Sequence, residues 1–152
     1  MNLIYSCIFF NEEYIELLDL LLKSFAIFGN CDENTKYLII CDPKFETKIY
    51  QIFLSLKIKC FVWSIKLSTM FEACYSRLKI FEYPDINKYD KILYLDCDIL
   101  ITNNLSNILD LNIEEKLYVL NEGYTNGPHD FWGSDFWNAN QNPKTSAFTT
   151  SF

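Results

Sequence analysis

The chain has 152 residues, of which 50% are hydrophobic and 17% aromatic, so it can bury a sizeable core and a largely disordered protein is excluded. Its net charge of −7 argues against a general nucleic-acid binder, because a phosphate backbone is bound by clustered Lys and Arg. The same charge is compatible with cation binding.

The first half of the chain predicts alternating strands and helices. Residues 3–10 form an apolar run typical of a buried strand, and Asn11 and Gly29 are suited to the start and the end of the helix that follows. We expect a second strand at 36–41 and a helix near 45–56.

The second half continues the alternation. A strand is predicted at 58–65, a helix at 70–83 that ends before Pro84, a fourth strand at 91–101 and a fifth at 115–121. Apolar side chains share one stripe of the predicted helix, with Arg77 at its edge: Phe71, Cys74, Tyr75, Leu78 and Phe81.

This order of elements predicts an α/β fold with a mostly parallel sheet and helices flanking both faces. Ligands of such sheets bind at the carboxyl ends of the strands. The region from residue 123 to 152 is rich in Asn, Gly, Pro, Thr and Trp and has no strong period.

The six cysteines do not support a structural zinc site, because no C-x-x-C pair occurs among them. We interpret them as reduced thiols of an intracellular protein. No signal peptide and no apolar run of membrane-spanning length is evident, so we expect a cytoplasmic protein without a membrane span.

Asp96 and Asp98 are separated by one residue within the apolar run at 91–101. Side chains two apart on a strand lie on the same side, so both carboxylates could face one hard cation such as Mg²⁺ or Mn²⁺. A simpler interpretation is that both aspartates end the strand and face water.

A haloacid-dehalogenase-like phosphatase also places D-x-D after an apolar strand, with the first aspartate as nucleophile. In those enzymes the motif opens the core domain, and Thr or Val is expected where this chain has Leu100. These differences disfavour the phosphatase interpretation.

The stretch YSRLKIFEYPDINKYDKILYLDCDILITNNLSNIL, residues 75–109, resembles the signature region of glycosyltransferase family 8. That family includes glycogenin and the bacterial lipopolysaccharide galactosyltransferases. The shared pattern is a helix with Y-x-R-L, an Asp-Lys-apolar strand, L-D-x-D and a leucine-rich segment.

The resemblance implies a GT-A fold, that is, a Rossmann-like nucleotide-diphospho-sugar transferase domain, and a nucleotide-sugar donor, with a UDP-sugar favoured. It implies that Asp96 and Asp98 bind Mn²⁺ or Mg²⁺ against the diphosphate, and that the backbone around Cys97 lies near the ribose. Arg77 would lie near the diphosphate and the sugar. Its other interpretation is a surface arginine paired with Glu72 or Glu82. Family members transfer the sugar with retention.

The segment FFNEEY, residues 9–14, resembles the family's first loop, which binds the uridine. By that resemblance Phe9 belongs to the donor site, Asn11 bonds near the base and Tyr14 stacks on it. Asn11 could instead be only a helix cap, and Tyr14 an ordinary aromatic residue packing onto the core.

The C-terminal region departs from the family pattern. AFTTSF, residues 147–152, replaces the usual F-N-x-G, with Thr149 for Asn and Ser151 for Gly, and His129 lies too early to be the family's third metal ligand. We therefore expect residues 1–152 to be a single, C-terminally incomplete GT-A domain. An aromatic cluster could be a self-association surface, core or acceptor loop: Phe131, Trp132, Phe136 and Trp137.

Two hypotheses follow from the sequence. The first is a metal-dependent retaining glycosyltransferase that acts on a glycan, lipid or protein acceptor. The second is a non-catalytic nucleotide-sugar-binding module or an inactive remnant of such an enzyme.

Overall fold

The computed structural model describes residues 1–112, together with the backbone of residues 120–124 and 146–149. The chain divides into two compact units, Met1–Asn112 and Ile113–Phe152. The expectations for His129, for Ser151 and for the aromatic cluster at 131–137 concern residues outside the described ones. That residues 1–152 form a single domain stays a prediction.

The first unit contains a four-stranded sheet in the order β3-β2-β1-β4, in which every pair is parallel. Its strands are β1 (Asn2–Ile8), β2 (Thr35–Cys41), β3 (Cys60–Ser64) and β4 (Lys91–Tyr94). Its α-helices are α1 (Glu13–Phe28), α2 (Glu46–Leu56), α3 (Met70–Cys74) and α4 (Ser106–Leu109), and 3-10 helices cover Pro43–Phe45, Ser76–Glu82 and Ile86–Lys88. The predicted mostly parallel α/β sheet is thus confirmed.

Both faces of the sheet are buried, because alternate side chains of the central strands enter two separate apolar clusters. Ile4 and Ile39 pack against α1 and α2 on one face, whereas Leu3 and Leu38 pack on the other with Ile80 of the 3-10 helix Ser76–Glu82. Burial on both faces explains why β1 and β2 have nearly continuous apolar sequences.

The fourth strand is shorter than the prediction of 91–101. It ends at Tyr94, which pairs with Tyr5, and the next backbone bond runs from the Leu95 N–H to the Tyr5 carbonyl. The hydroxyl of Ser6 then donates to the Leu95 carbonyl over 2.7 Å. A side chain replaces the backbone partner at this point, and the residues beyond it leave the sheet.

The single helix predicted at 70–83 is also wrong in form. The α-helix ends at Cys74, and after Tyr75 the chain continues as the 3-10 helix Ser76–Glu82. Ser76 and Ile80 are buried, whereas the predicted stripe is largely exposed at Phe71, Tyr75, Leu78 and Phe81.

In the second unit, β5 (Leu120–Tyr124) and β6 (Ser146–Thr149) pair antiparallel, with an irregularity between Asn121 and Gly123. The strand predicted at 115–121 overlaps β5 only at its last two residues, and its other residues are not among those described. The segment 147–152 that replaces F-N-x-G begins within β6.

The strand order creates a topological switch point between β1 and β4. The chain runs from β1 outward through β2 to β3, and then returns to place β4 on the other side of β1. In open parallel sheets the crevice at such a point, beyond the carboxyl ends of the strands, is the usual ligand site. None of the helices in the described ranges has the length and hydrophobicity of a membrane span.

Candidate functional site

The loop after β1 begins the candidate site. Phe9 is only 5% exposed and packs in the apolar cluster on the Leu3 face, so its side chain belongs to the core. Phe10 has a left-handed backbone with φ 61°, and the Asn11 N–H donates to the Phe9 carbonyl over 2.7 Å. A bulky residue with positive φ marks a tightly constrained loop.

Asn11 precedes Glu12, which is the N-cap residue of α1, so Asn11 is not the N-cap itself, although its side chain bonds the first N–H of the helix. Its Oδ1 accepts a hydrogen bond from the Glu13 N–H over 3.0 Å. Tyr14, in the first turn of α1, is 45% exposed, so its ring is not closed onto the core.

Two lysines that follow β2 hold this loop from the side. Lys44 Nζ donates to the Phe10 carbonyl over 3.0 Å, and Lys48 Nζ forms an ion pair with Glu12 over 3.0 Å. Neither lysine stood out in the sequence, because each contact joins elements that are more than 30 residues apart in the chain.

The two aspartates lie just beyond β4, in a turn closed by the Ile99 N–H donating to the Asp96 carbonyl over 3.3 Å. Cys97 between them is buried in the core, and its Sγ donates to the Cys7 carbonyl over 3.3 Å. Asp98 is exposed and Asp96 half-buried, so both carboxylates remain accessible to solvent on either side of the anchored Cys97.

Asp96 is fixed by a neighbour that the sequence analysis did not identify. The hydroxyl of Tyr94 donates to Asp96 Oδ1 over 2.5 Å. Burial, the nearby Cys7 and the Asp96 carboxylate raise the pKa of Tyr94 far above its ordinary value, so the hydroxyl stays protonated and remains a donor. The spacing of Tyr94 and Asp96 in the sequence could have indicated this contact, because residues two apart at the end of a strand lie on the same side.

Arg77 lies on the 3-10 helix Ser76–Glu82, with Cζ 5.3 Å from the centroid of the Tyr94 ring. The Tyr5 hydroxyl donates to the Arg77 carbonyl over 2.9 Å. Glu72 accepts a hydrogen bond from the Thr69 N–H, and Glu82 forms an ion pair with Lys79.

The structure thus gathers most of the predicted site residues at the carboxyl edge of β1 and β4. Asp96 and Asp98 follow β4, Asn11 and Tyr14 follow β1, and Arg77 contacts Tyr94 from the covering 3-10 helix. Phe9 and Cys97 are the exceptions, because their side chains face the core.

The donor set fits a hard divalent cation that is shared with a ligand. Among the residues that the structure describes, no group of three His, Cys, Asp or Glu could hold a metal by itself. Magnesium-like ions commonly take one or two carboxylates and complete their coordination with water and substrate phosphates. Two accessible carboxylates match that pattern.

Two cavities, of about 150 and 410 Å³, lie at the opposite edge of the sheet, where the strands begin. Asp32 and Thr35 line both of them, and the Thr35 hydroxyl donates to Asp32 over 2.9 Å. These cavities are separate from the residues gathered at the carboxyl edge.

Comparisons with known proteins bear on the family and the fold of the chain. The model of the family described as glycosyl transferase family 8 matches residues 7–150. The fold is similar to the crystal structure of the glycosyltransferase GlyE of Streptococcus pneumoniae TIGR4, with a TM-score of 0.55 and 20% identity over 78% of this chain. The crystal structure of the apo form of GlyE has a TM-score of 0.54 and 21% identity over 77% of this chain. The chain spans 29% and 28% of these two structures. No curated protein matched.

Proposed function

Because this chain belongs to glycosyltransferase family 8, we propose that it binds a UDP-sugar together with a divalent cation and transfers the hexose with retention. The observation that carries the proposal is the convergence of Asp96, Asp98 and Arg77 at the switch point between β1 and β4. A nucleotide-sugar site is favoured over the phosphatase interpretation, because the model of glycosyl transferase family 8 matches residues 7–150.

The loop after β1 is proposed to hold the base. Tyr14 presents an exposed ring on which a flat uracil can stack, and Asn11 supplies an amide beside it. Phe9 would act by anchoring the loop in the core, and Lys44 by fixing the Phe10 carbonyl.

The segment after β4 is proposed to hold the diphosphate. Asp96 and Asp98 would bind Mn²⁺ or Mg²⁺, which would supply Lewis-acid stabilisation of the leaving diphosphate. Cys97 anchors the turn so that its backbone could face the ribose. Arg77 would donate to phosphate oxygens as charge develops on them.

A second candidate, from another class, is a module that binds the nucleotide sugar without transferring it. The observation in its favour is that the residues proposed above would all act on the donor: Asn11, Tyr14, Arg77, Asp96 and Asp98. Binding needs only the donor residues named above, whereas transfer also needs groups that position an acceptor.

The test is a calorimetric titration of UDP into the chain with Mn²⁺ and, separately, with a chelator. We expect Mn²⁺-dependent binding that Asp96→Asn or Asp98→Asn weakens by about 100-fold or more, because loss of even an outer-sphere partner of a metal typically costs about 10- to 100-fold.

Asp110→Asn is the matched control, since it removes one exposed carboxylate at the end of α4. Equal UDP affinity with Mn²⁺ and with chelator would contradict the proposed metal site. If Mn²⁺-dependent binding of UDP is observed, an assay of UDP release from UDP-glucose or UDP-galactose distinguishes a transferase from a module that only binds.

A further inference from the structure

Tyr94 occupies the position at which the two halves of the candidate donor site meet. It is the last residue of β4, and its ring packs against that of Tyr5 with 5.1 Å between centroids and 50° between planes. The Arg77 guanidinium lies over the same ring, 5.3 Å from its centroid. The face of the Tyr94 ring therefore contacts the guanidinium of Arg77, which is proposed to bind phosphate.

The hydroxyl of Tyr94 contacts the other half of the site. It donates to Oδ1 of Asp96 over 2.5 Å, a short bond of the kind formed between a hydroxyl and a carboxylate. A donor on one carboxylate oxygen restricts the rotation of the group and directs its second oxygen. Carboxylates that bind metals are commonly oriented by such an outer hydrogen bond.

Tyr5 completes the arrangement from the neighbouring strand. Its hydroxyl donates to the Arg77 carbonyl over 2.9 Å, so the backbone of the arginine is tied to β1 while its side chain lies over a ring of β4. The two tyrosines are register partners, and one rigid pair of strands therefore positions both charged groups.

We propose that Tyr94 is a positioning residue of the donor site, which orients the Asp96 carboxylate toward the cation through its hydroxyl and supports Arg77 through its ring. This inference rests on the proposed function. It assigns distinct tasks to the two parts of one side chain, and substitutions can separate them.

Tyr94→Phe keeps the ring and removes the donor. We expect it to weaken Mn²⁺ binding to the UDP complex about tenfold, a loss typical of outer-sphere partners of metal ligands, as measured by paramagnetic resonance of free Mn²⁺ at saturating UDP. Because Asp96 is only half-buried, water can replace the lost donor and the variant is expected to fold. Tyr94→Leu removes the ring as well and should further weaken UDP binding, including in chelator.

A double-mutant cycle tests whether the hydroxyl acts through Asp96. In an Asp96→Asn background Tyr94→Phe should have no further effect on Mn²⁺ affinity, whereas in an Asp98→Asn background the tenfold effect should persist. Tyr37→Phe is the matched control, because it removes a buried tyrosine hydroxyl that bonds Ser6 rather than a carboxylate.

The outcomes distinguish this inference from the proposed function. If the unsubstituted chain binds no UDP with Mn²⁺, both fall together. If it binds and Tyr94→Phe has the same Mn²⁺ affinity, the positioning role alone is overturned. A loss that is equal in both backgrounds, or is matched by Tyr37→Phe, would show a general effect on stability and would also overturn the role.

Discussion

Ser24 shows how one buried hydroxyl connects the candidate site to the rest of the first unit. It lies on α1, 8% exposed, and its Oγ donates to the Leu21 carbonyl over 2.7 Å. The same oxygen accepts the Ile101 N–H over 2.9 Å, three residues after Asp98. The segment that leaves the aspartate turn is thereby held against α1.

We expect Ser24→Ala to lower the free energy of unfolding by about 1–3 kcal/mol, because the buried Ile101 N–H loses its acceptor. Urea unfolding followed by circular dichroism measures the change. Ser55→Ala is the control, since Ser55 makes the same kind of bond to the Ile52 carbonyl on an exposed face of α2. Equal effects of the two substitutions would refute the importance of the Ile101 contact.

At the scale of elements, the end of α2 carries backbone strain that its sequence does not relieve. Lys57 caps the helix in a left-handed conformation, with φ 56° and ψ 31°, and its N–H reaches the carbonyls of Phe53 and Leu54. Helices commonly end this way, but the residue in that position is usually glycine, which has no Cβ to clash.

Lys57→Gly should therefore stabilise the chain, by about 0.5–1 kcal/mol. A residue with a Cβ is destabilised by about 1–2 kcal/mol in the left-handed conformation, and glycine avoids that destabilisation. The gain is partly offset because glycine has greater conformational freedom in the unfolded state. Lys57→Ala removes the same charge but keeps the Cβ, and it should give no stabilisation. A glycine variant whose urea midpoint is no higher than that of the alanine variant would contradict the argument.

At the scale of the whole molecule, partly and fully buried thiols couple stability to alkaline pH. Burial raises the pKa of Cys31 and Cys41 from 9.0 to about 11, and that of Cys7 and Cys60 to about 12. The folded chain thus holds these protons more tightly than the unfolded chain does. The contribution of these thiols to the free energy of unfolding is fully present below their pKa of 9.0 in the unfolded chain. It is lost as the pH rises through their higher pKa values in the folded chain.

We expect the urea midpoint, measured with a reductant, to fall as the pH rises from about 9 to about 12. Cys60→Ala should reduce that fall, because it removes one thiol whose pKa is raised by burial. Cys74→Ala, at an exposed cysteine, is the comparison for loss of a thiol alone. An unchanged midpoint across this pH range would contradict the assignment.

The sequence by itself determined the parallel α/β fold and the order of its elements. Apolar runs that are buried on both faces specify the central strands whatever lies next to them. Asn11, Asp96 and Asp98 are also local signals, because these polar residues adjoin or interrupt apolar runs and lie shortly after β1 and β4. The motif around the aspartates carried enough information to indicate the family.

Only the tertiary structure decided how the site is held together. The bonds from Tyr5 to Arg77 and from Ser6 to Leu95 join residues 72 and 89 positions apart, and such pairings leave no periodic trace in the sequence. These contacts explain why two predicted elements were wrong. The strand predicted at 91–101 ends early, where Ser6 replaces a backbone partner, and the helix predicted at 70–83 becomes a 3-10 helix after Tyr75. Local sequence patterns indicate which side chains prefer burial. Contacts between segments distant in the chain determine where each element ends and which part of the protein it packs against.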